Sequence, residues 1–138
     1  MNEIQASLGI SQLKKIDIFV KNRNLIADKY NQELVNLPLK LPPIDKKILS
    51  SYHLYIILMK NVDNQKKLYN YLIKRKIFVN LHYIPIYRHS FYKSLGFKKG
   101  YCVDAEKYFK SAITLPIFPH LKKNQQNYII KSIKNFFN

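Results

Sequence analysis

The chain has 138 residues, of which 47% are hydrophobic and 14% aromatic, so it has the size and composition of one globular domain. This composition excludes a disordered tail, and the apolar runs are too short to cross a bilayer. The single cysteine, Cys102, can form neither an internal disulfide nor a thiolate metal cage. The net charge of +16 would suit a nucleic-acid-binding protein, but it comes mostly from lysines scattered through every segment, which is typical of a solvated surface. We therefore expect a cytoplasmic protein without a membrane or nucleic-acid partner.

Residues 2–36 are predicted to be helical, because apolar residues recur at spacings of three and four. Asn2 can cap the start of this segment, and a break near Asp17 would divide it into two consecutive helices. Gly9 favours close packing against another element. Few charges precede Lys14, which indicates a helix covered by something outside this chain.

Three segments are predicted to be strands. Residues 51–59 are apolar on both alternating faces and suit a central buried strand. Residues 77–83 alternate, with Phe78, Asn80 and His82 on the face that we expect to line a cleft. Residues 113–119 contain two prolines, which predict a strand at a sheet edge.

Three more helices are predicted, namely residues 65–76, 103–112 and 122–137, and residues 87–95 are expected to form a short helix or turn. Extended backbone is expected over the proline-rich residues 37–43. The element order predicts an α+β fold, with a small, three-stranded and mostly antiparallel sheet covered by helices and preceded by a long helical segment.

The polar and aromatic loop that follows residues 77–81 is the candidate site. In one interpretation Tyr83 and Tyr87 are packing residues and His82 is satisfied within the fold. In the other, Asn80, His82 and Tyr83, together with the rigid backbone of Ile84, Pro85 and Ile86, line a substrate cleft. No metal-binding, phosphate-loop or nucleophile-elbow motif occurs, so the residues alone predict no reaction.

Four segments, in the same order along the chain, resemble motifs of the DegT/DnrJ/EryC1/StrS family of sugar aminotransferases. They are residues 1–9 (MNEIQASLG) with Gln12-Leu13, residues 51–55 (SYHLY), residues 82–86 (HYIPI) and residues 112–119 (AITLPIFP). The loop of residues 82–89 is most similar to the branch of that family in pseudaminic acid biosynthesis.

This resemblance implies that residues 1–138 are the C-terminal small domain of a type I fold enzyme that uses pyridoxal 5′-phosphate (PLP). The N-terminal large domain, with the Schiff-base lysine, would precede Met1, so no catalytic, cofactor-binding or metal-binding residue is assigned here and the chain alone is expected to be inactive. The complete enzyme would be a homodimer that moves an amino group from glutamate to a 4-keto UDP-sugar. His82, Tyr83, Ile84, Pro85 and Ile86 would contact the nucleotide-sugar.

The last helix departs from the family, which usually has a threonine where this chain has Lys122. We therefore expect Lys122→Thr to stabilise the fold by about 1 kcal/mol. Two other functions remain open: an interaction module that docks on a complete homologue, and a basic nucleic-acid-binding domain.

Overall fold

The computed structural model describes residues 1–45 and 47–138, in which helices surround a small antiparallel sheet. The strands are β1 (Leu39–Lys40), β2 (Tyr55–Met59) and β3 (Ala112–Leu115). The helices are α1 (Glu3–Leu13), α2 (Ile16–Leu34), α3 (Asp63–Lys74), α4 (Ser90–Ser94), α5 (Val103–Ser111) and α6 (Lys123–Phe137), with a 3-10 turn at Ile86–Arg88. The predicted α+β class and the three-stranded antiparallel sheet are confirmed.

Strand β2 lies at the centre of the sheet, as its two apolar faces predict. It pairs with β1, where Leu39 lies opposite Met59, and with β3, where Tyr55 lies opposite Leu115. Strand β3 is therefore an edge strand in the order β1-β2-β3, as its prolines indicate.

The prediction of a strand at residues 77–83 is wrong. These residues make one isolated bridge, in which the backbone amides of Asn80 and Thr114 donate to each other's carbonyl oxygens over 3.2 and 2.8 Å. The Asn80 side-chain oxygen then accepts the Leu81 amide proton, which leaves that amide unable to extend a ladder. The third strand is instead β1, a two-residue strand in the segment expected to be extended.

The core lies between the sheet and helices α2, α3 and α6, while α5 contacts β2. Side chains with essentially no exposure form its centre: Tyr30, Leu34, Tyr55, Ile57, Leu68, Leu72, Ile113, Leu115 and Ile133. The two buried tyrosines keep their hydroxyls satisfied, because Tyr30 donates to the carbonyl of Pro116 over 2.9 Å and Tyr55 donates to Asn31 Oδ1 over 2.6 Å.

The predicted pair of N-terminal helices is confirmed, with the break two residues before Asp17. Asn2 caps α1, and its Oδ1 accepts the Gln5 amide proton over 2.9 Å. None of the residues of α1 is buried, and nothing lies within 4 Å of a Cβ built at Gly9. The close packing predicted for Gly9 therefore does not occur among the described residues.

The remaining helices lie within two residues of their predicted limits, except that residues 87–95 form a 3-10 turn followed by the short helix α4. Gly96 ends α4 at a φ of +92°, in the left-handed region that favours glycine. No helix in the described residues is both long and apolar enough to cross a membrane.

Candidate functional site

The loop of residues 82–86 leaves the sheet directly after the bridge between Asn80 and Thr114. Tyr83, Ile84 and Ile86 have exposed side chains, and that of Tyr83 is 68% exposed. Pro85 is buried and holds the middle of the loop against the fold. The structure thus brings these predicted residues together on one exposed, largely apolar loop.

Hydrogen bonds fix the imidazole of His82 on both sides. Nδ1 lies 2.7 Å from the hydroxyl oxygen of Thr114, and Nε2 lies 3.3 Å from the side-chain nitrogen of Asn80. Because Asn80 uses its side-chain oxygen to accept from Leu81, its nitrogen is the atom that faces His82. That nitrogen only donates, so Nε2 is the acceptor and Nδ1 carries the proton that is donated to Thr114.

This arrangement gives His82 a positioning role. With both ring nitrogens engaged, neither is available to take a proton from a ligand. The ring also packs edge-on against Tyr83, with the ring centroids 4.4 Å apart. His82 therefore packs, with a fixed ring, against the exposed phenol of Tyr83.

A buried carboxylate holds the far end of the loop. Glu106, on α5, is 7% exposed, and its Oε1 accepts the Tyr87 hydroxyl proton and the Gly100 amide proton, each over 3.2 Å. Its Oε2 lies 3.5 Å from a guanidinium nitrogen of Arg88. Glu106 thus joins the 3-10 turn, the loop before α5 and α5 itself.

The surroundings of Glu106 favour its ionised form. Burial raises the pKa of this carboxyl, but the hydrogen bonds from Gly100 and Tyr87 and the positive charges of Arg88 and Lys99 lower it more. The pKa of Glu106 therefore lies below its ordinary value. Burial, with the adjacent carboxylate of Glu106, raises the pKa of the Tyr87 phenol.

Sequence reasoning missed two residues that shape the site. The sequence pattern places Glu106 only within the predicted helix 103–112, and Thr114 only within the predicted strand 113–119 and the motif of residues 112–119. The neighbours of Glu106, Ala105 and Lys107, give no local sign of its burial, and the contact between His82 and Thr114 joins residues 32 positions apart. Only the fold reveals either role.

PLP is the cofactor implied by the resemblance, and the loop of residues 82–86 contains neither a lysine nor a carboxylate. A PLP site needs a lysine for the Schiff base together with a carboxylate for the pyridine nitrogen. The buried carboxylate at the far end of the loop, Glu106, is already engaged by Tyr87, Gly100 and Arg88. The part of the chain that the structure describes also contains no cluster of three metal-ligating side chains.

A model of the DegT/DnrJ/EryC1/StrS aminotransferase family matches residues 1–134. Protein MJ1066 of Methanocaldococcus jannaschii is 39% identical over 140 residues, which cover 97% of this chain and 36% of that protein. The UDP-4-amino-4,6-dideoxy-N-acetyl-beta-L-altrosamine transaminase of Helicobacter pylori is 34% identical over 144 residues, which cover 99% of this chain and 38% of that protein.

Solved structures show the same fold over nearly the whole chain. Helicobacter pylori PseC, an aminotransferase involved in the biosynthesis of pseudoaminic acid, superposes with a TM-score of 0.87 at 33% identity, over 99% of this chain and 38% of that one. The aminotransferase TlmJ of Streptoalloteichus hindustanus superposes with a TM-score of 0.88 at 26% identity, over 98% of this chain and 36% of that one. The chain thus spans well under half the length of the proteins that it matches.

Proposed function

Because this chain belongs to the DegT/DnrJ/EryC1/StrS aminotransferase family, we propose that it is the C-terminal portion of a PLP-dependent nucleotide-sugar aminotransferase. The complete enzyme transfers an amino group from glutamate to a 4-keto UDP-sugar, in the biosynthesis of a surface or flagellin glycan such as pseudaminic acid. It works in the cytoplasm as a homodimer. The observation that carries this proposal is the match of the family model to residues 1–134. The alignments to two relatives cover only 36% and 38% of those proteins, so most of each relative has no counterpart in this chain.

In this proposal residues 1–138 form the small domain, and the N-terminal large domain supplies the PLP site. PLP, when bound there, provides the electron sink that transamination needs. Two observations on this chain support the division. The loop of residues 82–86 contains no lysine or carboxylate that could serve PLP, and α1 exposes large apolar side chains, including Ile4, Leu8 and Leu13, which another domain would cover.

The role of this chain is substrate recognition by the loop of residues 82–86. Tyr83 offers a flat face and a hydroxyl, and Ile84 and Ile86 offer apolar contacts, while buried Pro85 restricts the backbone between them. His82, held by Asn80 and Thr114, orients Tyr83. These residues bind and orient the nucleotide-sugar, and none of them transfers a proton.

The first test compares this chain with the protein read in frame from the DNA upstream of the Met1 codon. Glutamate, PLP and a 4-keto UDP-sugar are supplied, and the amino-sugar product is measured by mass spectrometry. We expect product from the longer protein only. Borohydride trapping of PLP on a lysine of the chain alone would contradict the proposal, as would product from the chain alone.

The second test probes the loop in the longer protein. Tyr83→Ala should raise the KM for the nucleotide-sugar about tenfold, with a smaller effect on the KM for glutamate, because the lost contacts are to the sugar substrate. Phe91→Ala is the matched control, since Phe91 is equally exposed but lies outside the loop. Equal effects of the two substitutions would exclude loop recognition.

An interaction module that docks on a complete homologue is the second candidate. The exposed apolar side chains of α1 favour it, because they would suit a partner protein as well as a covalently linked domain. Size-exclusion chromatography of the chain mixed with a complete aminotransferase of this family distinguishes the two. Stable co-elution, without an in-frame upstream domain, would support the docking module.

A further inference from the structure

A cavity of about 850 Å³ lies outside the loop of residues 82–86. It opens between the end of α3, residues 77–80, the turn after β3 and the start of α6. Its inner wall contains the buried side chains of Ile77, Leu115, Ile117 and Ile129. A cavity of this volume with an apolar wall is in the size range of small-molecule sites.

Three aromatic side chains in the wall of this cavity remain exposed, namely Phe78, Phe118 and Tyr128. Phe78 is 79% exposed, although it lies between the buried residues Ile77 and Val79. Exposed aromatic faces beside an apolar cavity provide stacking surfaces for a planar ring.

The wall of the cavity also carries positively charged side chains and no negatively charged ones. No aspartate or glutamate is among its wall residues, which include the cations Arg75 and Lys76. The Arg75 guanidinium lies over the ring of Tyr71, 3.5 Å from its centroid, whereas the structure records no ion pair for Lys76 among the described residues. Lys76 is therefore the cation that can meet an anionic ligand.

The backbone of Lys76 gives independent support. Lys76 follows α3 with a φ of +59°, and the amides of Lys76 and Ile77 donate to the carbonyls of Ile73 and Leu72 over 2.9 and 3.0 Å. These bonds form the helix ending that normally places glycine at the left-handed position. A lysine in this conformation at the wall of a cavity is a strained residue of the kind that clusters at ligand sites.

We propose that this cavity binds a small planar aromatic anion, an aryl phosphate or carboxylate. Its ring packs on the apolar wall between Phe78 and Tyr128, and its anionic group meets the ammonium of Lys76. The side-chain NH2 groups of Asn124 and Gln125 can donate hydrogen bonds to the ligand. The cavity wall includes Asn80 and Thr114, which also hold His82, but the proposed ligand contacts are made by Lys76, Phe78 and Tyr128, outside the loop of residues 82–86.

The test is an NMR titration of the ¹⁵N-labelled chain with 1-naphthyl phosphate, compared with 1-naphthol and with inorganic phosphate. We expect the amide signals of Phe78, Leu115 and Tyr128 to shift with 1-naphthyl phosphate. The two partial ligands, which lack either the charge or the ring, should bind at least tenfold more weakly.

Two substitutions localise the binding. Lys76→Gln should raise the Kd for 1-naphthyl phosphate about tenfold, which corresponds to the loss of one favourable charged contact. Tyr128→Ala should weaken binding by removing a stacking surface. Lys66→Gln is the control, because Lys66 is an exposed lysine of α3 outside the cavity wall and should leave the Kd unchanged.

Several results would overturn this site. They are the absence of shifts at millimolar ligand, equal weakening by Lys66→Gln and Lys76→Gln, and equal binding of inorganic phosphate. Shifts confined to residues 82–86 and abolished by Tyr83→Ala would also overturn it, and that result would instead support the recognition loop. Failure of the cavity site and failure of the proposed function therefore give different outcomes.

Discussion

The hydroxyl of Tyr87 lies 3.2 Å from the buried carboxylate oxygen Oε1 of Glu106. The same hydroxyl lies 3.0 Å from the carbonyl oxygen of Cys102, so its proton is shared between two acceptors. This contact joins the turn that follows the recognition loop to the start of α5. Loss of the Tyr87 hydroxyl or of the Glu106 carboxylate should therefore make the loop of residues 82–86 more mobile and lower the stability of the fold.

We expect the stability of the chain to depend on Glu106 at acid pH. The pKa of Glu106 in the folded chain lies below its ordinary value of 4.5, so its contribution is complete above that pH and is lost as the pH falls through the folded-state pKa. Urea unfolding midpoints between about pH 3 and pH 6 test this. Glu106→Gln should flatten the acid side of the curve.

The control for this pH effect is Glu33→Gln. A hydrogen bond and the charge of Lys134 also lower the pKa of Glu33, but that pair is exposed on the surface. Removal of Glu33 should change the curve less than removal of Glu106, since solvent weakens exposed ion pairs. An unchanged acid profile in Glu106→Gln would contradict the assignment of this carboxylate.

Tyr87→Phe should lower the midpoint of thermal unfolding by about 5 °C, because the Glu106 carboxylate loses a buried donor. Tyr101→Phe is the matched control, since the ring of Tyr101 is exposed and packs near Tyr87. Differential scanning calorimetry would measure both. Equal, small shifts would show that the shared proton of Tyr87 contributes little.

The sequence predicted what depends on local periodicity. The two N-terminal helices, the central strand β2 and the edge strand β3 follow from apolar spacing and proline positions, and all were confirmed. The error at residues 77–83 has a physical cause: the alternation at Ile77 and Val79 is real, but a strand also needs a partner over several residues. Here the pairing stops after the single bridge at Asn80.

The candidate site was only partly accessible from sequence. The pattern predicted a polar and aromatic loop at residues 82–86, and the structure places these residues together. It could not predict that Thr114 and Asn80 occupy both nitrogens of His82, because these contacts depend on the pairing of segments distant in sequence. The role of this loop in binding nucleotide-sugar stays a prediction.

Lys76→Gly should raise the free energy of unfolding by about 1 kcal/mol, because glycine adopts the left-handed conformation without the penalty that a side chain brings. Lys76→Ala is the control that separates conformation from charge, since alanine loses the charge but keeps Cβ and should give no gain. Chemical denaturation measures both. Equal stabilisation by alanine would point to charge repulsion as the cause.

A charged side chain introduced into α1 should be tolerated, whereas one introduced into the core should not. Leu8 is 61% exposed, so Leu8→Glu should change the free energy of unfolding by less than about 0.5 kcal/mol while reducing self-association. Leu72→Glu, at a fully buried position, should prevent folding. Analytical ultracentrifugation and circular dichroism distinguish the two effects, and a large loss of stability in Leu8→Glu would show that α1 packs on the core.

The start of α6 offers the simplest stabilising substitution. Lys122 is the N-cap, with extended backbone at φ −72° and ψ 148°, and its side chain makes no capping bond. Gln125 already accepts the Lys122 amide proton through Oε1 over 3.0 Å, which is one half of a capping box. Asn124 Oδ1 now accepts the Gln125 amide proton over 2.8 Å, and in Lys122→Thr the threonine oxygen would replace it as acceptor and complete the capping box. The substitution would also remove a positive charge from the positive end of the helix dipole.

We therefore expect Lys122→Thr to raise the free energy of unfolding by about 1 kcal/mol. Lys123→Thr removes the same charge one residue later, where the side chain lies within the first turn and not at the cap. It should give only the smaller dipole benefit, a few tenths of a kcal/mol. Urea denaturation of the two variants measures the difference, and equal gains would show that charge alone, without capping by the hydroxyl, stabilises the start of α6.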